Sequence, residues 1–506
     1  MVSRRTILRA GGGLAAVSVA AVAAGPALAS GSPNWDRLDR LLTGDLVRPP
    51  DPGYDQARQL FLAQYDTIRP RAVALCETVQ DIQHCLRFAQ HSGIKVALRS
   101  GGHSFAGWST TTGLVVDVSR LNGVQVANSA VTFGPGIQGI DLMATLAPHG
   151  LSAVSGMCAT IGMGGYLSGG GIGAQTRKYG IASDRLLAAE MVLADGRVVR
   201  CSPDEHPDLF WAIRGGGGGN FGVLTKLRVR PVPATGFANA VVVWPWDAAA
   251  DVLNAYQRWH INAPDELNTL MSVVVEDAAP GVVPDVVLTA SWHGDGAGAG
   301  LQRALDELIA DAGQPVFSDV QEESFLRGMM TLYECGHLTV PECHRIGTNP
   351  VARLQRENYI AHRGRLLSRP IPPAGIEDLL EHLVSQLRSG HLRYLWFQGM
   401  GGRSNQVPAD ATAWVHRDTH FLISNVAIPH TSSPDPETLA AVHTWINDGL
   451  PLIQRYSNGE NYVAFPDPEQ SDWQRSYYGR NYGRLVAVKR RYDPHNFFRH
   501  PQSIGS

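Results

Sequence analysis

The sequence has no excess of one charge: 43 lysines and arginines stand against 46 aspartates and glutamates, a formal net charge of −3, and charged residues make up only 18%. Without a basic field, a nucleic-acid partner is not expected. Cysteine is scarce. The six are Cys76, Cys85, Cys158, Cys201, Cys335 and Cys343, no two form a C-x-x-C pair, and no metal site is expected. Cys335 with Cys343, and Cys76 with Cys85, are near enough in sequence to pair or to stay buried thiols, and spacing leaves the connectivity open. Beyond residue 30 no apolar run reaches the ~20 residues of a membrane span, so stable membrane insertion is not expected.

What is abundant is glycine: 54 among 506 residues, against a usual ~7%, gathered in short runs without a collagen-like period. With 44% hydrophobic residues there is core enough for two or three domains of ~150 residues. Residues 1–29 read as a twin-arginine-type signal: Arg4 and Arg5 precede an Ala- and Gly-rich apolar stretch over 14–24, and Ala27-Leu28-Ala29 closes it with a small-x-small cleavage pattern. Secretion is the expected consequence. That route carries folded proteins, which is a first hint of a prosthetic group acquired before export.

From about 71 to 231, short β-branched runs (97–99, 113–118, 131–133, 189–193, 197–201, 223–229) alternate with glycine clusters. Ile82, Cys85, Leu86 and Ala89 repeat at helical spacing between two of them. Past Pro231 and Pro233 come longer strand candidates (238–243, 271–275, 286–292) and helix candidates (301–312, 376–385). The expected class is α+β, with a boundary near 240 and a second sheet covered by helices.

Three glycine clusters carry the chemistry. Arg99-Ser100-Gly101-Gly102-His103-Ser104 follows a strand candidate, and adjacent glycines let backbone amides approach an anion closely; His103 reads as a cofactor contact or as a structural hydrogen-bonder. Residues 156–173 hold a dense set of glycines around Cys158, which excludes a regular helix and leaves the thiol as nucleophile, redox group, covalent anchor or plain buried cysteine. Gly217, Gly219 and Gly222 match G-x-G-x-x-G, but the run follows a helix and opens a strand, the reverse of the order a nicotinamide site requires.

These segments are similar to the FAD-linked oxidases of the vanillyl-alcohol oxidase (PCMH-type) superfamily, berberine bridge enzyme-like branch. The similarity continues through Gly169-Gly170-Gly171-Ile172-Gly173, Arg177-Lys178-Tyr179-Gly180, Asp208-Leu209-Phe210-Trp211, Tyr477-Tyr478-Gly479-Arg480-Asn481-Tyr482 and Tyr492-Asp493-Pro494-His495-Asn496. It implies a two-subdomain FAD-binding domain over 65–235, a substrate domain with an antiparallel sheet backed by helices over 236–465, and a C-terminal segment over 466–506 returning to the first. It also implies FAD bound covalently twice, 8α-histidyl at His103 and 6-S-cysteinyl at Cys158. Around these it places Arg99, Ser100, Gly101, Gly102 and Ser104 on one loop, and Gly156, Thr160, Gly162, Gly164, Gly165 and Tyr166 on the other. Gly170, Gly173, Val223, Tyr462 and Asn481 complete the implied cofactor contacts. Tyr166 stands where the plant alkaloid enzyme of this branch has a histidine.

Alcohol oxidation by hydride transfer needs a proton acceptor at the substrate hydroxyl. Tyr462 is the candidate, although Ala464 and Phe465 replace the family's usual Asn and Tyr beside it; with an ordinary pKa near ~10 it requires a donor or a cation to serve near neutrality. Packing on a domain seam is the other reading of this tyrosine. Tyr394, Trp396 and Gln398 alternate, so a strand projects them to one face, suiting them to a substrate wall or to sheet packing. His416 reads as structural. The expected enzyme is an exported flavoprotein oxidase of a secondary or hemiacetal alcohol on a sugar, an oligosaccharide or a glycosylated or polyketide natural product, with O2 as acceptor and H2O2 released. Oxidative ring closure of an alkaloid-like substrate, and a flavin-binding protein without turnover, are the alternatives.

Overall fold

The computed structural model describes residues 33–506 apart from 128 and 432, so the twin-arginine segment over 1–29 lies outside the described residues. The architecture is the expected α+β mixture. The first sheet has four strands in the order Asp45–Val47, Ala72–Leu75, Leu114–Asp117, Val96–Arg99, of which the last three run parallel. Leu114–Asp117 is buried along its whole length, as a strand covered on both faces must be. Against this sheet packs the Val79–His91 helix, opened by a reciprocal capping box between Thr78 and Asp81 and burying Ile82, Cys85, Leu86 and Ala89.

A five-stranded antiparallel sheet follows, ordered Val124–Ala127, Ala130–Phe133, Val223–Val229, Leu186–Val192, Val198–Cys201. Its core includes residues from the C-terminal end of the chain: Tyr477, Tyr478, Leu485 and Tyr492 cluster with Leu209, Phe210 and Trp211. Lys489 holds this end inside, its Nζ donating to Asn220 O and Phe498 O at 2.6 Å each and to Asp493 Oδ2 at 2.7 Å. A buried ammonium with three acceptors is satisfied, which is the condition for placing it there.

The third sheet has seven antiparallel strands, ordered Phe317–Glu323, Phe237–Trp244, Asp285–His293, Leu267–Val275, His391–Gly399, Phe421–Pro429, Ala361–Leu367. Strand alternation divides its faces. Met271, Val273, Val275, Leu395 and Phe397 enter one core with helices Ala249–Asn262, Ala297–Ala312, Pro373–Leu383 and Pro436–Gln454. Leu270, Ser272, Val274, Tyr394, Trp396 and Gln398 face the other way, into a cavity beneath the glycine loops. Register pairs them across the strands: Leu270 with Gln398, Ser272 with Trp396, Val274 with Tyr394.

One detail differs from the sequence reading, and another answers a question the spacing left open. The glycine-rich segment does contain a helix, Met163–Ser168, in which the Gly169 N–H reaches Gly165 O at 3.1 Å; packing of Met163, Tyr166 and Leu167 into the core outweighs the weak helix propensity of glycine. Of the two cysteine pairings considered, Cys335 and Cys343 are bonded, while Cys76 and Cys85 are free buried thiols.

Candidate flavin site and substrate cavity

The cavity between the glycine loops and the third sheet has a volume of about 1150 Å³, beyond the ~300–1,000 Å³ typical of a pocket for one small ligand. The His103 loop meets the Cys158 segment backbone to backbone. A Cβ on Gly101 would lie 2.2 Å from the Gly162 amide nitrogen, and one on Gly162 would lie 2.2 Å from Ser100 Oγ. Only glycine permits that approach. Ser100 Oγ donates to Pro135 O at 2.6 Å, and Ser104 Oγ accepts the Trp108 N–H at 3.1 Å, so both serines are spent on holding the loop. Arg99 is buried and pairs with Asp117.

His103 stacks on Phe61 with ring centroids 4.2 Å apart, and its Nε2 meets Thr160 Oγ1 at 2.8 Å. Burial, helped by the charge of Arg345, pushes its pKa down to about 3, so the ring is neutral and its Nδ1 keeps a lone pair or a proton to exchange. Cys158 opens onto the cavity as a free thiol. The opening is deep within the molecule, and this desolvation, with the charges of Glu334 and Glu357, pushes the thiol up to about 12. Thus His103 and Cys158 come from separate loops to one space.

The residues fit a large flavin nucleotide on independent grounds. Gly165 and Gly219 line the cavity, and a Cβ added to either would meet nothing within 4 Å: a cradle kept open by missing side chains. Gly102, Gly217 and Gly219 have φ of +72°, +84° and +74°, the backbone of anion-binding nests. Among the described residues no group of side chains is arranged to hold a metal ion, and no helix is long and apolar enough to cross a membrane.

Most of the residues singled out from sequence line this cavity. Gly170, Gly173 and Asn481 do not. Gly170 makes room for the Trp414 ring, 2.4 Å from where its Cβ would be, and Gly173 for Ser155 O at 1.9 Å. Asn481 Nδ2 donates to Ala409 O at 2.8 Å and Thr412 O at 3.2 Å, so it braces the 409–413 turn. His416 Nδ1 sits 2.7 Å from Glu460 Oε2 and is not among the lining residues.

Tyr462 reaches the cavity, but its surroundings oppose the role of base. Its Oη accepts the Gly171 N–H at 3.2 Å, its ring packs on Trp414 and Phe465, and burial pushes its pKa up to about 12. The needed donor is present and, among the described residues, no cation acts on the phenol; desolvation wins. Tyr166, 7% exposed, has a buried hydroxyl without a partner among the described residues, and burial raises its pKa.

Sequence reasoning missed Phe61, Glu334, Glu357 and the Trp108–His500 stack, whose ring centroids are 4.1 Å apart. Glu334 precedes the disulfide at Cys335 with φ of +60°. Glu357 is fixed by a bridge to Leu62, its carbonyl accepting the Ala63 N–H at 2.8 Å. Neither sits in a motif, so no local signal pointed to them.

Comparison with known proteins agrees with this geometry. The family described as "FAD binding domain" matches residues 70–202, and the family described as "Berberine and berberine like" matches residues 461–505. The chain is 30% identical over 476 residues to the uncharacterized FAD-linked oxidoreductase YgaK of Bacillus subtilis, covering 92% of this chain and 97% of that protein. It is 28% identical to the xylooligosaccharide oxidase of Thermothelomyces thermophilus, covering 86% and 87%. In fold it is similar to BBE-like 1 of Physcomitrella patens, with a TM-score of 0.82 at 22% identity over 93% of this chain and 98% of that one.

Proposed function

The chain belongs to the FAD-linked oxidoreductases of the berberine-like branch, and from that premise we propose that it is a secreted, bicovalent flavoprotein oxidase of a bulky alcohol. The observation that carries this reading is the convergence of His103 and Cys158 on one cavity, with the Thr160 contact occupying Nε2 and leaving Nδ1 for the flavin. When bound there, FAD supplies a hydride acceptor.

The chain's own residues bind and orient. The Tyr394 and Trp396 side chains offer a wall on which a sugar or polyketide ring packs, and Gln398 presents an amide beside it. Tyr462, its oxygen held by the Gly171 N–H, hydrogen-bonds the substrate hydroxyl, whose proton passes to water in the open part of the cavity as the hydride leaves. A secondary or hemiacetal alcohol on a sugar, an oligosaccharide or a glycosylated or polyketide natural product suits a cavity of this size, and the likeness to an oligosaccharide oxidase supports that class. Dioxygen is the proposed electron acceptor, with H2O2 the product, and export by the twin-arginine segment the proposed route.

The test is a denaturing gel viewed under ultraviolet light, with intact mass, on the wild type, His103→Ala and Cys158→Ala. One FAD mass retained by the wild type and each single variant, and lost only in the double variant, supports the reading. A flavin-free wild-type polypeptide refutes it. Mixing the substrate-reduced protein with air, and following flavin absorbance and peroxide, tests the acceptor.

A further inference from the structure

As well as His103 and Cys158, the cavity lining includes Trp108, Ser109, Arg499 and His500. These are two dipeptides from opposite ends of the chain, joined by the stack of Trp108 on His500, whose ring centroids are 4.1 Å apart and whose planes are 20° from parallel. Each dipeptide is pinned. The Trp108 N–H donates to Ser104 Oγ at 3.1 Å and the Gly107 N–H to Ser104 O at 3.0 Å, which folds the tryptophan back onto the loop that carries His103. On the other side Phe498 O accepts from Lys489 Nζ at 2.6 Å, and the Ile504 N–H donates to Asn220 Oδ1 at 2.9 Å, so the chain's end is fastened to the glycine run over 215–222. The four residues therefore stand between two of the glycine clusters.

A second observation concerns their polar atoms. His500 Nδ1 and Ser109 Oγ are buried without a hydrogen-bond partner among the described residues, and a buried polar atom is costly unless a ligand completes it. Burial, ahead of the Lys489 charge, pushes the His500 pKa down to about 3, so the ring is neutral and its nitrogens donate or accept without charge. Arg499 lines the same space with no ion-pair partner among the described residues. An aromatic pair suits a purine, neutral hydrogen-bonding groups suit its ring nitrogens or a ribose hydroxyl, and a guanidinium suits a phosphate. The lining residues Val118, Val223 and Phe498 are buried together in the core of the first sheet, to which no strand of the third sheet contributes. This part of the cavity is thus built without the wall of Tyr394, Trp396 and Gln398.

We propose that Trp108, Ser109, Arg499 and His500 form the seat of the AMP half of FAD, with the Trp108–His500 pair as the purine's aromatic surface, Ser109 and His500 as its hydrogen-bonding groups and Arg499 as the partner of a phosphate. This rests on the reading of the cavity as a flavin site, and it gives the last residues of the chain a share in that site. FAD differs from FMN by this half alone. The chain's end, closing on Trp108, is therefore what selects the dinucleotide, while the anchors at His103 and Cys158 act on the half that both flavins share.

The experiment takes the full-length chain carrying His103→Ala and Cys158→Ala, in which flavin is held without covalent bonds, and titrates it with FAD and with FMN by fluorescence quenching. FAD is expected to bind at least about tenfold tighter than FMN. Adding Trp108→Ala or His500→Ala weakens FAD by about tenfold and leaves FMN unchanged, whereas a merely structural role would weaken both alike; Trp108→Phe, which keeps an aromatic face, retains the preference. FMN binding as tightly as FAD, or equal losses for the two flavins, overturns the proposal. Where the anchorless chain does not fold, the holoprotein decides. Phosphodiesterase, which hydrolyses the pyrophosphate, is expected to remove AMP from the native wild type at least about tenfold more slowly than from the unfolded polypeptide, with the protection lost in Trp108→Ala and His500→Ala, as read by intact mass. Equal rates from native and unfolded wild type, or full protection in both variants, overturns it as well. Failure of the covalent reading shows separately, as a wild-type polypeptide without attached flavin; the comparison of FAD with FMN still decides the seat.

Discussion

The His103 ring and the Thr160 hydroxyl meet at 2.8 Å across loops 57 residues apart, and this contact selects which imidazole nitrogen faces the cavity. Replacing Thr160 with Val keeps the shape and deletes the hydrogen bond. Measured in a Cys158→Ala background, where His103 is the single remaining anchor, Thr160→Val is expected to lower the in-gel flavin fluorescence severalfold. Unchanged fluorescence would show that Phe61 stacking alone orients the ring.

Gly165 and Gly101 should respond differently to an added side chain. At Gly165, within the Met163–Ser168 helix, a Cβ meets nothing within 4 Å, so Gly165→Val is expected to fold with a melting temperature near the wild type while flavin content falls sharply. At Gly101 the added atom would lie 2.2 Å from the Gly162 backbone, so Gly101→Ala is expected to lower folded yield as well. Flavin content per folded molecule and thermal unfolding together check the contrast.

Tyr462→Phe separates two roles for the tyrosine, base at the substrate hydroxyl or orienting hydrogen-bond partner. With a pKa of about 12, the phenol stays protonated throughout the working range. The variant is expected to reduce its flavin more slowly, by about tenfold, as loss of one hydrogen bond and exposure of the Gly171 N–H imply ~1–2 kcal/mol, while the inflections of the pH profile stay in place. Disappearance of a basic limb in the variant would restore the tyrosine as base.

The loop closed by the Cys335–Cys343 disulfide continues into His344, whose Nε2 lies 3.1 Å from Asp141. The hydrogen bond to Asp141, ahead of the opposing effect of burial, raises the His344 pKa above its usual 6.5. A raised histidine contributes stability that is complete below about pH 6.5 and lost as pH climbs through the higher folded-state value. Wild-type melting temperature is therefore expected to fall between roughly pH 6 and pH 8 by more than that of Asp141→Asn. Identical slopes would remove this pair from the account.

The placement of contiguous residues was legible in the sequence: His103 and Cys158 each stand within glycines whose spacing is a local requirement and both line the cavity, and strand alternation was enough to put Tyr394, Trp396 and Gln398 on one face. The element order around Gly217 to Gly222 was legible too: helix Pro207–Ala212 precedes the run and strand Val223–Val229 follows it. Gly170, Gly173 and Asn481 were assigned to the cofactor by their motifs and turned out to make room for, or brace, neighbouring chain.

What the sequence by itself determined is the set of backbone permissions and face assignments, because glycine spacing and strand alternation act over a few residues. Only the tertiary structure decided the electrostatics: that Tyr462 is desolvated in the core, and that Glu334 and Glu357 line the same cavity as Cys158 with no ion-pair partner among the described residues. Charge and desolvation depend on which distant segments share one low-polarity cavity, and no local pattern records that.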